Sequence, residues 1–197
     1  MAAPLARLVL ATGNPGKVEE LSALLGARYE VEARPADLPE TVEDGETLEH
    51  NARKKAVEVR DHAGALAVAD DTGLFVDALN GIPGVRSARY AGEPADAAAN
   101  VATLLAAMAD VADGPARRAE FRTVIVAAWP DGSEVVVTGI APGRIAMERS
   151  GEGGFGYDAV FVPDEGDGKT FAEMSAEAKN AISHRAKAIE ALLGALD

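Results

Sequence analysis

The chain has 197 residues, of which 48% are hydrophobic and 26% charged, and it contains no cysteine. This length is enough to bury the core of one large globular domain. The lack of cysteine excludes disulfides, zinc thiolate sites and thiol nucleophiles, so catalysis would use carboxylates, lysine, histidine, hydroxyl groups or a hard metal ion. The net charge of −13 argues against a polynucleotide-binding protein, because such proteins neutralise phosphates with Lys and Arg.

The chain also lacks the sequence signals of a membrane or secreted protein. No stretch approaches the roughly 20 apolar residues that cross a bilayer, and the first residues lack the basic segment and apolar run of a signal peptide. We therefore expect a cytoplasmic protein with no membrane partner. Small phosphorylated ligands remain compatible with the acidic charge, because carboxylates can hold Mg²⁺, which neutralises part of the phosphate charge.

Predicted strands and helices alternate early in the chain: a strand at 7–11, helices at 15–25 and 47–60, and a strand at 65–69. This order is typical of an α/β fold. The later predictions are a turn at 80–84, a helix at 96–108, a hairpin of strands 120–129 and 134–140, a strand at 159–162 and a helix at 183–196. We expect one domain over residues 1–197, with two lobes that share a mixed sheet.

The first strand meets the first helix at Thr12-Gly13-Asn14-Pro15-Gly16-Lys17. Asn14 suits the N-cap position, and Pro15 suits the first helical position, where no N–H is needed. Lys17 would face the positive end of the helix dipole, which becomes favourable if a phosphate lies between the lysine and the backbone N–H groups. A surface lysine after an ordinary capped turn is the alternative, and the spacing is not that of a P-loop.

The next motif is acidic: Asp70-Asp71-Thr72-Gly73 follows the apolar run 65–69. Carboxylates at the carboxyl end of a buried strand lie where α/β sheets place ligands. Because adjacent strand residues point to opposite sides, one aspartate is predicted to face the ligand and the other to brace the turn. A solvated turn is the alternative, since Asp and Gly are common in turns.

The predicted helix at 47–60 carries a lysine at the edge of its apolar stripe. The stripe consists of Leu48, Ala52, Ala56 and Val59. Lys55 at its edge is costly unless it is paired or snorkels to water. Asn51, one turn earlier, could point with Lys55 toward a phosphate chain, and Glu43 upstream offers a metal-binding carboxylate. Three residues off the stripe are predicted to be solvated: His50, Arg53 and Lys54.

The glycine cluster at 151–156 contains the spacing Gly-x-Gly-x-x-Gly, but a strand follows it instead of a helix, so it does not predict a dinucleotide site. Its end, Phe155-Gly156-Tyr157-Asp158, offers an aromatic ring and a carboxylate that suit stacking on a flat ring and hydrogen bonding to its edge. A strand entry with Phe155 in the core is the alternative.

Positive charge gathers near the end of the chain at Lys179, His184 and Arg185. Ser183 suits the N-cap of the last helix, which places His184 and Arg185 in the first turn, where cations are disfavoured. This placement indicates a second point where a helix start faces an anion or a carbonyl group. A salt bridge to a carboxylate of the chain is the alternative.

Five motifs in this order resemble the inosine triphosphate pyrophosphatase family, which hydrolyses non-standard purine nucleoside triphosphates. The resemblance extends from about Leu8 to the last helix. The matching motifs are 12–17, Asn51-Ala52 with Lys55, Asp70-Asp71-Thr72-Gly73-Leu74, Phe155-Gly156-Tyr157-Asp158, and Ser183-His184-Arg185 with Lys179.

The resemblance implies an elongated α/β fold with a central mixed sheet flanked by helices, a substrate cleft between two lobes, and a homodimer. It also implies Mg²⁺-dependent release of pyrophosphate from ITP, dITP or XTP. Asp71 would bind the metal and act as base, Glu43 would help to hold Mg²⁺, and residues 12–17 with Lys55 would hold the triphosphate. Thr72 stands where many relatives have serine, so its hydroxyl would keep a substrate contact.

Hydrogen-bond donors in the site could distinguish the purine bases. Hypoxanthine and xanthine present a 6-oxo acceptor where adenine presents an amino donor, so fixed donors would disfavour ATP. Lys179, His184, Arg185 and the amides of the glycine cluster could supply these donors.

Two rival functions are a Maf-like pyrophosphatase for modified pyrimidine or methylated nucleotides, and a nucleotide-binding protein without hydrolysis. The Asp70-Asp71 pair argues against the second, because a sensor needs no water-activating carboxylate.

Overall fold

The computed structural model describes residues 5–196, which form five α-helices and a seven-stranded sheet. The strands are β1 Ala6–Leu10, β2 Tyr29–Glu32, β3 Leu66–Val76, β4 Pro83–Gly84, β5 Arg118–Ala128, β6 Glu134–Ile145 and β7 Phe161–Pro163. The helices are α1 Pro15–Leu25, α2 Leu48–Ala63, α3 Ala97–Ala107, α4 Ala176–Ile182 and α5 His184–Ala195. No helix between residues 5 and 196 is long and apolar enough to cross a membrane.

The sheet is mixed, with the strand order β2-β1-β3-β5-β6-β7 and with β4 paired to β3. β1 is parallel to both of its neighbours, with Ala6 opposite Tyr29 of β2 and Leu8 opposite Leu66 of β3. β4 is antiparallel to β3, and β7 is antiparallel to β6. The predicted mixed α/β class is therefore confirmed, and β5 and β6 are the neighbours expected of the predicted hairpin.

Side-chain caps set the starts of the helices that carry functional candidates. Asn14 Oδ1 accepts a hydrogen bond from the Lys17 N–H at 3.2 Å, and α1 begins at Pro15 as predicted. Thr47 caps α2 through the His50 N–H. Ser183 Oγ accepts from the Ala186 N–H at 3.1 Å, so the predicted cap of α5 is also confirmed. These caps satisfy N–H groups that the first turn of a helix leaves without an intrahelical acceptor.

β3 is longer than the sequence predicted. It runs to Val76, so Asp70 and Asp71 lie within the strand and not in a turn after it. Pairing with β4 extends the strand, because Leu74 and Phe75 lie opposite Gly84 and Pro83. Gly73 allows this close approach: a Cβ there would lie 2.5 Å from the Gly84 carbonyl oxygen. The prediction of a turn at this motif is wrong because pairing outweighs the turn preference of Asp and Gly.

Three shorter elements also differ from the prediction. The strand expected at 159–162 begins only at Phe161, because residues 158–160 form a 3₁₀ turn. β2 and α4 were not predicted, since each is too short to show a clear hydrophobic period. α4 matters for the site because it carries Lys179, and Ser175 caps it by accepting from the Ala178 N–H at 3.2 Å.

Contacts divide the chain into two compact units. Unit 1 contains the described residues 5–71, 123–139 and 188–196, and unit 2 contains 72–122 and 140–187. Each unit has its own apolar core. The core of unit 1 includes Leu8, Leu10, Leu21, Leu25, Val68, Ile125 and Leu192. The core of unit 2 includes Leu74, Leu104, Met108, Phe121, Phe161 and Phe171.

Candidate active site

In unit 1, two adjacent aspartates of β3 each contact a different lysine. Asp70 Oδ2 lies 2.9 Å from Lys17 Nζ of α1, and Asp71 Oδ1 lies 3.0 Å from Lys55 Nζ of α2. Successive strand residues point to opposite faces of a sheet, which explains why the two carboxylates reach different helices. The expected opposite orientation is thus observed, but the expectation that one aspartate braces a turn is wrong, because Asp70 is fully buried against Lys17.

Lys55 is paired and does not snorkel to water. Its ammonium donates to Glu43 Oε1 and to Asp71 Oδ1, both at 3.0 Å, and its side chain is 9% exposed. Burial lowers the pKa of Lys55, but the carboxylates of Asp71, Asp70 and Glu43 together raise it above its ordinary value. The lysine therefore stays protonated, as its position beside the apolar stripe required.

Asp71 is oriented from its other side by Asn51. The Asn51 amide Nδ2 donates to Asp71 Oδ2 at 3.3 Å, and its Oδ1 accepts from the Gly45 N–H at 2.8 Å. Burial raises the pKa of Asp71, although the charges of Lys55 and Lys17 oppose the shift. A more basic carboxylate is better suited to accept a proton from water. Both ends of the Asn51 amide contact protein groups, so its contact with a phosphate remains a prediction.

The carboxylates of Glu43 and Asp71 suit a divalent cation. Both approach the same positive charge, the Lys55 ammonium, at 3.0 Å. Their oxygens are hard ligands, and Mg²⁺ in enzymes is commonly held by one or two carboxylates together with substrate phosphates and water. Within residues 5–196 no group of three or more His, Asp or Glu side chains could hold a metal ion. Glu43 and Asp71 thus provide two carboxylate ligands, and substrate oxygens and water would complete the coordination of the metal.

The start of α1 has a different electrostatic balance from the one predicted. Asp70 provides a negative charge that compensates Lys17 at this helix start, so a contact within the protein accounts for a lysine at the positive end of the helix dipole. Gly13, Asn14 and Pro15 are exposed, and Thr12 Oγ1 accepts from the Asn14 N–H at 3.2 Å. Phosphate binding by residues 12–17 remains a prediction.

Two residues of α2 that were predicted to be solvated make defined contacts. Lys54 Nζ donates to the Val42 carbonyl oxygen at 2.8 Å and to Asp44 Oδ1 at 3.0 Å. Arg53 forms ion pairs with Glu49 and Glu134. The helical pattern could not reveal these contacts, because their partners lie outside the periodic stripe. The third of these residues, His50, is exposed as predicted.

In unit 2, Lys179 and Asp158 form a buried pair beside an aromatic ring. Lys179 Nζ lies 2.8 Å from Asp158 Oδ2, which also accepts from the Phe155 N–H at 2.8 Å. The same ammonium lies 4.9 Å from the centroid of the Phe155 ring. Gly154 permits this turn, because its φ is +70° and a Cβ there would lie 2.1 Å from Asp158 Oδ2. The predicted alternative of a salt bridge is therefore present for Lys179.

The start of α5 contributes two further residues to unit 2. The Arg185 guanidinium donates to Thr72 Oγ1 at 3.4 Å, and its centre lies 5.6 Å from the Phe155 ring centroid. His184 is buried and stacks on Phe121, with centroids 4.5 Å apart and planes at 18°. The first turn thus places a cation beside a hydroxyl group and an aromatic ring, whereas His184 packs into the aromatic core.

Tyr157 and Gly156 have structural roles in unit 2. The Tyr157 hydroxyl donates to the Ser87 carbonyl oxygen at 2.9 Å, and burial raises the pKa of Tyr157. Gly156 has a φ of +60°, in the left-handed region that favours glycine. Neither residue carries a charge toward a ligand, so a substrate contact by either one remains a prediction. Phe155 is half-buried, which leaves part of it outside the core.

The predicted site residues therefore form two groups. The lysine–aspartate cluster of unit 1 consists of Lys17, Glu43, Asn51, Lys55, Asp70 and Asp71. The aromatic–cation cluster of unit 2 consists of Thr72, Phe155, Asp158, Lys179, His184 and Arg185. Asp71 and Thr72 are consecutive residues of β3.

Comparison with known proteins defines the family to which this mixed α/β chain with buried lysine–carboxylate pairs belongs. The chain belongs to the Ham1 family, whose sequence profile matches residues 8–195. The dITP/XTP pyrophosphatase of Leifsonia xyli subsp. xyli is 46% identical, over 96% of this chain and 95% of that protein. The dITP/XTP pyrophosphatase of Streptomyces coelicolor is 47% identical, over 95% of each chain.

Solved structures agree with this assignment. A HAM1 protein from Coxiella burnetii superposes with a TM-score of 0.85 at 37% identity and covers 98% of each chain. A nucleoside-triphosphatase, dITP/XTP pyrophosphatase, from Mycobacterium abscessus gives a TM-score of 0.74 at 44% identity, over 97% of this chain and all of that one (100%). The predicted family resemblance is confirmed over nearly the whole chain.

Proposed function

We propose that this chain is a nucleoside triphosphate pyrophosphatase that hydrolyses dITP, ITP and XTP to the monophosphate and pyrophosphate. This activity would remove deaminated purines from the nucleotide pool. The relatives from Leifsonia xyli and Streptomyces coelicolor, both named dITP/XTP pyrophosphatase, support the reaction and substrate class. The observation that carries the proposal is the arrangement of Asp71, held between Lys55 and Asn51, next to the second lysine pair at Asp70.

The lysine–aspartate cluster would carry out the hydrolysis. Asp71 orients a water molecule and accepts its proton as the water oxygen forms a bond to the α-phosphorus. The bond between the α-phosphorus and the bridging oxygen breaks, and pyrophosphate leaves with that oxygen. Lys17 and Lys55 neutralise the charge that develops on the leaving group. No covalent intermediate with the enzyme is needed.

Mg²⁺ is the cofactor that we propose, with Glu43 and Asp71 as its protein ligands. A divalent cation bound there supplies neutralisation of phosphate charge and increases the acidity of water. Lys55 contacts both carboxylates, so it holds the two ligands close to each other.

The aromatic–cation cluster would recognise the purine. Phe155 offers a face for stacking, and Lys179 and Arg185 are donors held beside it by Asp158 and Thr72. A 6-oxo purine accepts hydrogen bonds from such donors, whereas the amino group of adenine does not. His184, packed on Phe121, would add a donor at the same helix start.

Three further proposals accompany this function. The chain acts as one catalytic domain over residues 1–197, and it works as a homodimer. We place it in the cytoplasm, because nucleoside triphosphates are made and consumed there.

Size-exclusion chromatography with light scattering tests the homodimer: a mass of twice 20.3 kDa is expected, and the mass of a single chain would contradict it.

A nucleotide panel tests the activity. The purified chain is incubated with Mg²⁺ and with ITP, dITP, XTP, GTP, ATP or a methylated or modified pyrimidine triphosphate, and pyrophosphate and orthophosphate are measured separately. We expect pyrophosphate as the primary product and preference for ITP, dITP and XTP. Orthophosphate as the primary product, or equal use of ATP, would contradict the proposal, and preference for modified pyrimidine or methylated nucleotides would favour a Maf-like activity.

A further inference from the structure

The residues that precede α2 form an irregular segment attached to one face of that helix. This segment, residues 41–45, carries Glu43 and belongs to no strand or helix. The helix residues that contact it are Asn51, Lys54, Lys55 and Glu58. Their spacing of i, i+3, i+4 and i+7 places them on one face of a helix. Contacts from this face reach each of the five segment residues in turn.

The contacts follow the segment along its length. Thr41 donates its hydroxyl to Glu58 Oε2, at the far end of the face. At the near end, the Gly45 N–H donates to Asn51 Oδ1, and a Cβ at Gly45 would lie 2.6 Å from that oxygen. The segment's own backbone bond, from the Asp44 N–H to the Val42 carbonyl oxygen at 3.1 Å, is internal. Side chains of α2 therefore hold the segment where regular backbone pairing does not.

Lys54 has a particular place among these contacts. Its ammonium binds the Val42 carbonyl oxygen at 2.8 Å and Asp44 Oδ1 at 3.0 Å, which are the residues directly before and after Glu43. A lysine ammonium has three donors and can serve both acceptors at once. Lys55 and Asn51 contact Asp71 directly, whereas the contacts of Lys54 are to the flanks of Glu43. Lys54 can therefore be tested separately from the catalytic groups.

We propose that Lys54 is a positioning residue that holds the segment 41–45 so that the Glu43 carboxylate faces a divalent cation. The inference rests on the proposed function, because it takes Glu43 as a metal ligand. Without Lys54, Val42 and Asp44 lose these contacts with α2. Glu43 keeps its contact with Lys55, but the backbone on both sides of it is less restrained, so part of its ordering must occur when the metal binds. That ordering costs affinity for the metal but leaves Asp71, the base, in place.

Direct metal binding tests the proposal in the full-length chain. Mn²⁺ binding is followed by electron paramagnetic resonance in the presence of an α,β-methylene analogue of dITP, which cannot be cleaved at the scissile bond. Lys54→Met should weaken Mn²⁺ binding about 5-fold, as expected for loss of about one net hydrogen bond. kcat at saturating Mg²⁺ should change less than about 2-fold, and Lys54→Arg should restore most of the affinity.

Arg53→Met is the matched control. Arg53 is the adjacent long cation of α2, but it pairs with Glu49 and Glu134 and not with the segment. Its replacement should leave Mn²⁺ affinity unchanged. Hydrogen exchange gives a readout without metal: amides of residues 42–46 should exchange faster in Lys54→Met than in Arg53→Met. Asp44→Asn, which alters the same contact from the exposed side, should shift Mn²⁺ affinity in the same direction by less.

Glu43→Gln separates failure of this inference from failure of the metal assignment. Unchanged Mn²⁺ affinity in Glu43→Gln would contradict the role of Glu43 as a ligand and the proposal with it. If Glu43→Gln weakens binding while Lys54→Met matches the native chain in affinity and amide exchange, Lys54 does not position Glu43. A fall in kcat at saturating Mg²⁺ with no change in Mn²⁺ affinity would also overturn the proposal.

Discussion

The two clusters of this protein handle buried positive charge in different ways. In the lysine–aspartate cluster, Lys55 contacts two carboxylates and Lys17 contacts a third. In the aromatic–cation cluster, Lys179 contacts the carboxylate of Asp158 and lies beside the ring of Phe155. The first cluster is rich in carboxylates, whereas the second combines cations with an aromatic ring.

Under the proposed function, this difference would separate chemistry from recognition. Carboxylates around lysines would hold a divalent cation and take a proton in the same way for every nucleotide that carries a triphosphate. Fixed donors beside an aromatic ring respond to the shape and polarity of a base. Changes in unit 1 should therefore affect all nucleotides alike, and changes in unit 2 should alter the preference among them.

Replacement of the proposed base should have the largest effect. Asp71→Asn should lower kcat for ITP and ATP alike by about 10³-fold, within the range of general-base contributions, because the amide cannot accept the proton of the attacking water. Pyrophosphate release measures the effect, and thermal unfolding checks the fold. Asp131→Asn, in an exposed turn of the same unit, is the control with native turnover. Near-native turnover of Asp71→Asn would remove Asp71 from the mechanism.

Replacement of the lysine at the start of α1 should have the next largest effect. Lys17→Met should lower kcat/KM by about 10²-fold, similar to the loss of one preorganised donor, and by the same factor for ITP and ATP. Asp70 would be left buried without its lysine contact, so the variant is compared with the double variant Lys17→Met/Asp70→Asn. A change in the ratio of ITP to ATP activity in both variants would contradict the division between the two clusters.

Arg185→Ala should act on preference more than on rate. Loss of the guanidinium beside Thr72 and Phe155 should narrow the ratio of kcat/KM for ITP over ATP by about 10-fold, as expected for one lost donor to a base acceptor. Lys187→Ala, on the same helix and paired with Glu165, should keep the native ratio. An unchanged ratio in Arg185→Ala would exclude this arginine from base selection.

The smallest expected effect is a pH dependence of stability from Lys55. Its pKa is raised above 10.5 in the folded chain, because the surrounding carboxylates outweigh burial. The folded state thus binds this proton more tightly, so the stabilisation is complete below pH 10.5 and is lost as pH rises through the folded pKa. The free energies of unfolding of the native chain and of Lys55→Met, measured with urea at a series of pH values, should approach each other as the pH rises. A constant difference in the free energy of unfolding would contradict this sign.

Much of the fold could be predicted from local signals. Asn14 with Pro15 and Ser183 with His184 marked the starts of α1 and α5, because caps depend on nearby residues. β3 could not be predicted in full, because Asp70 to Gly73 favour turns locally. The strand continues there because distant lysines compensate the aspartates and because β4 pairs beside Gly73.

The candidate site was predictable where residues share a helix face or a strand. Helical spacing placed Asn51 beside Lys55, and strand alternation placed Asp70 and Asp71 on opposite sides. The contacts of Lys54 with Val42 and Asp44 were not predictable, because the segment that supplies them has no period. α4 was missed for a related reason: seven residues are too short to reveal which face carries Lys179.

The alternation of β3 has a consequence for how this protein can evolve. Asp70 and Asp71 reach different helices because successive side chains of a strand point to opposite faces of the sheet. Inserting or deleting one residue between Leu66 and Asp70 would exchange the two directions and turn each aspartate toward the other's helix. We therefore expect relatives to tolerate changes of residue type in this stretch but no change in its length, so that gaps in an alignment should fall outside it.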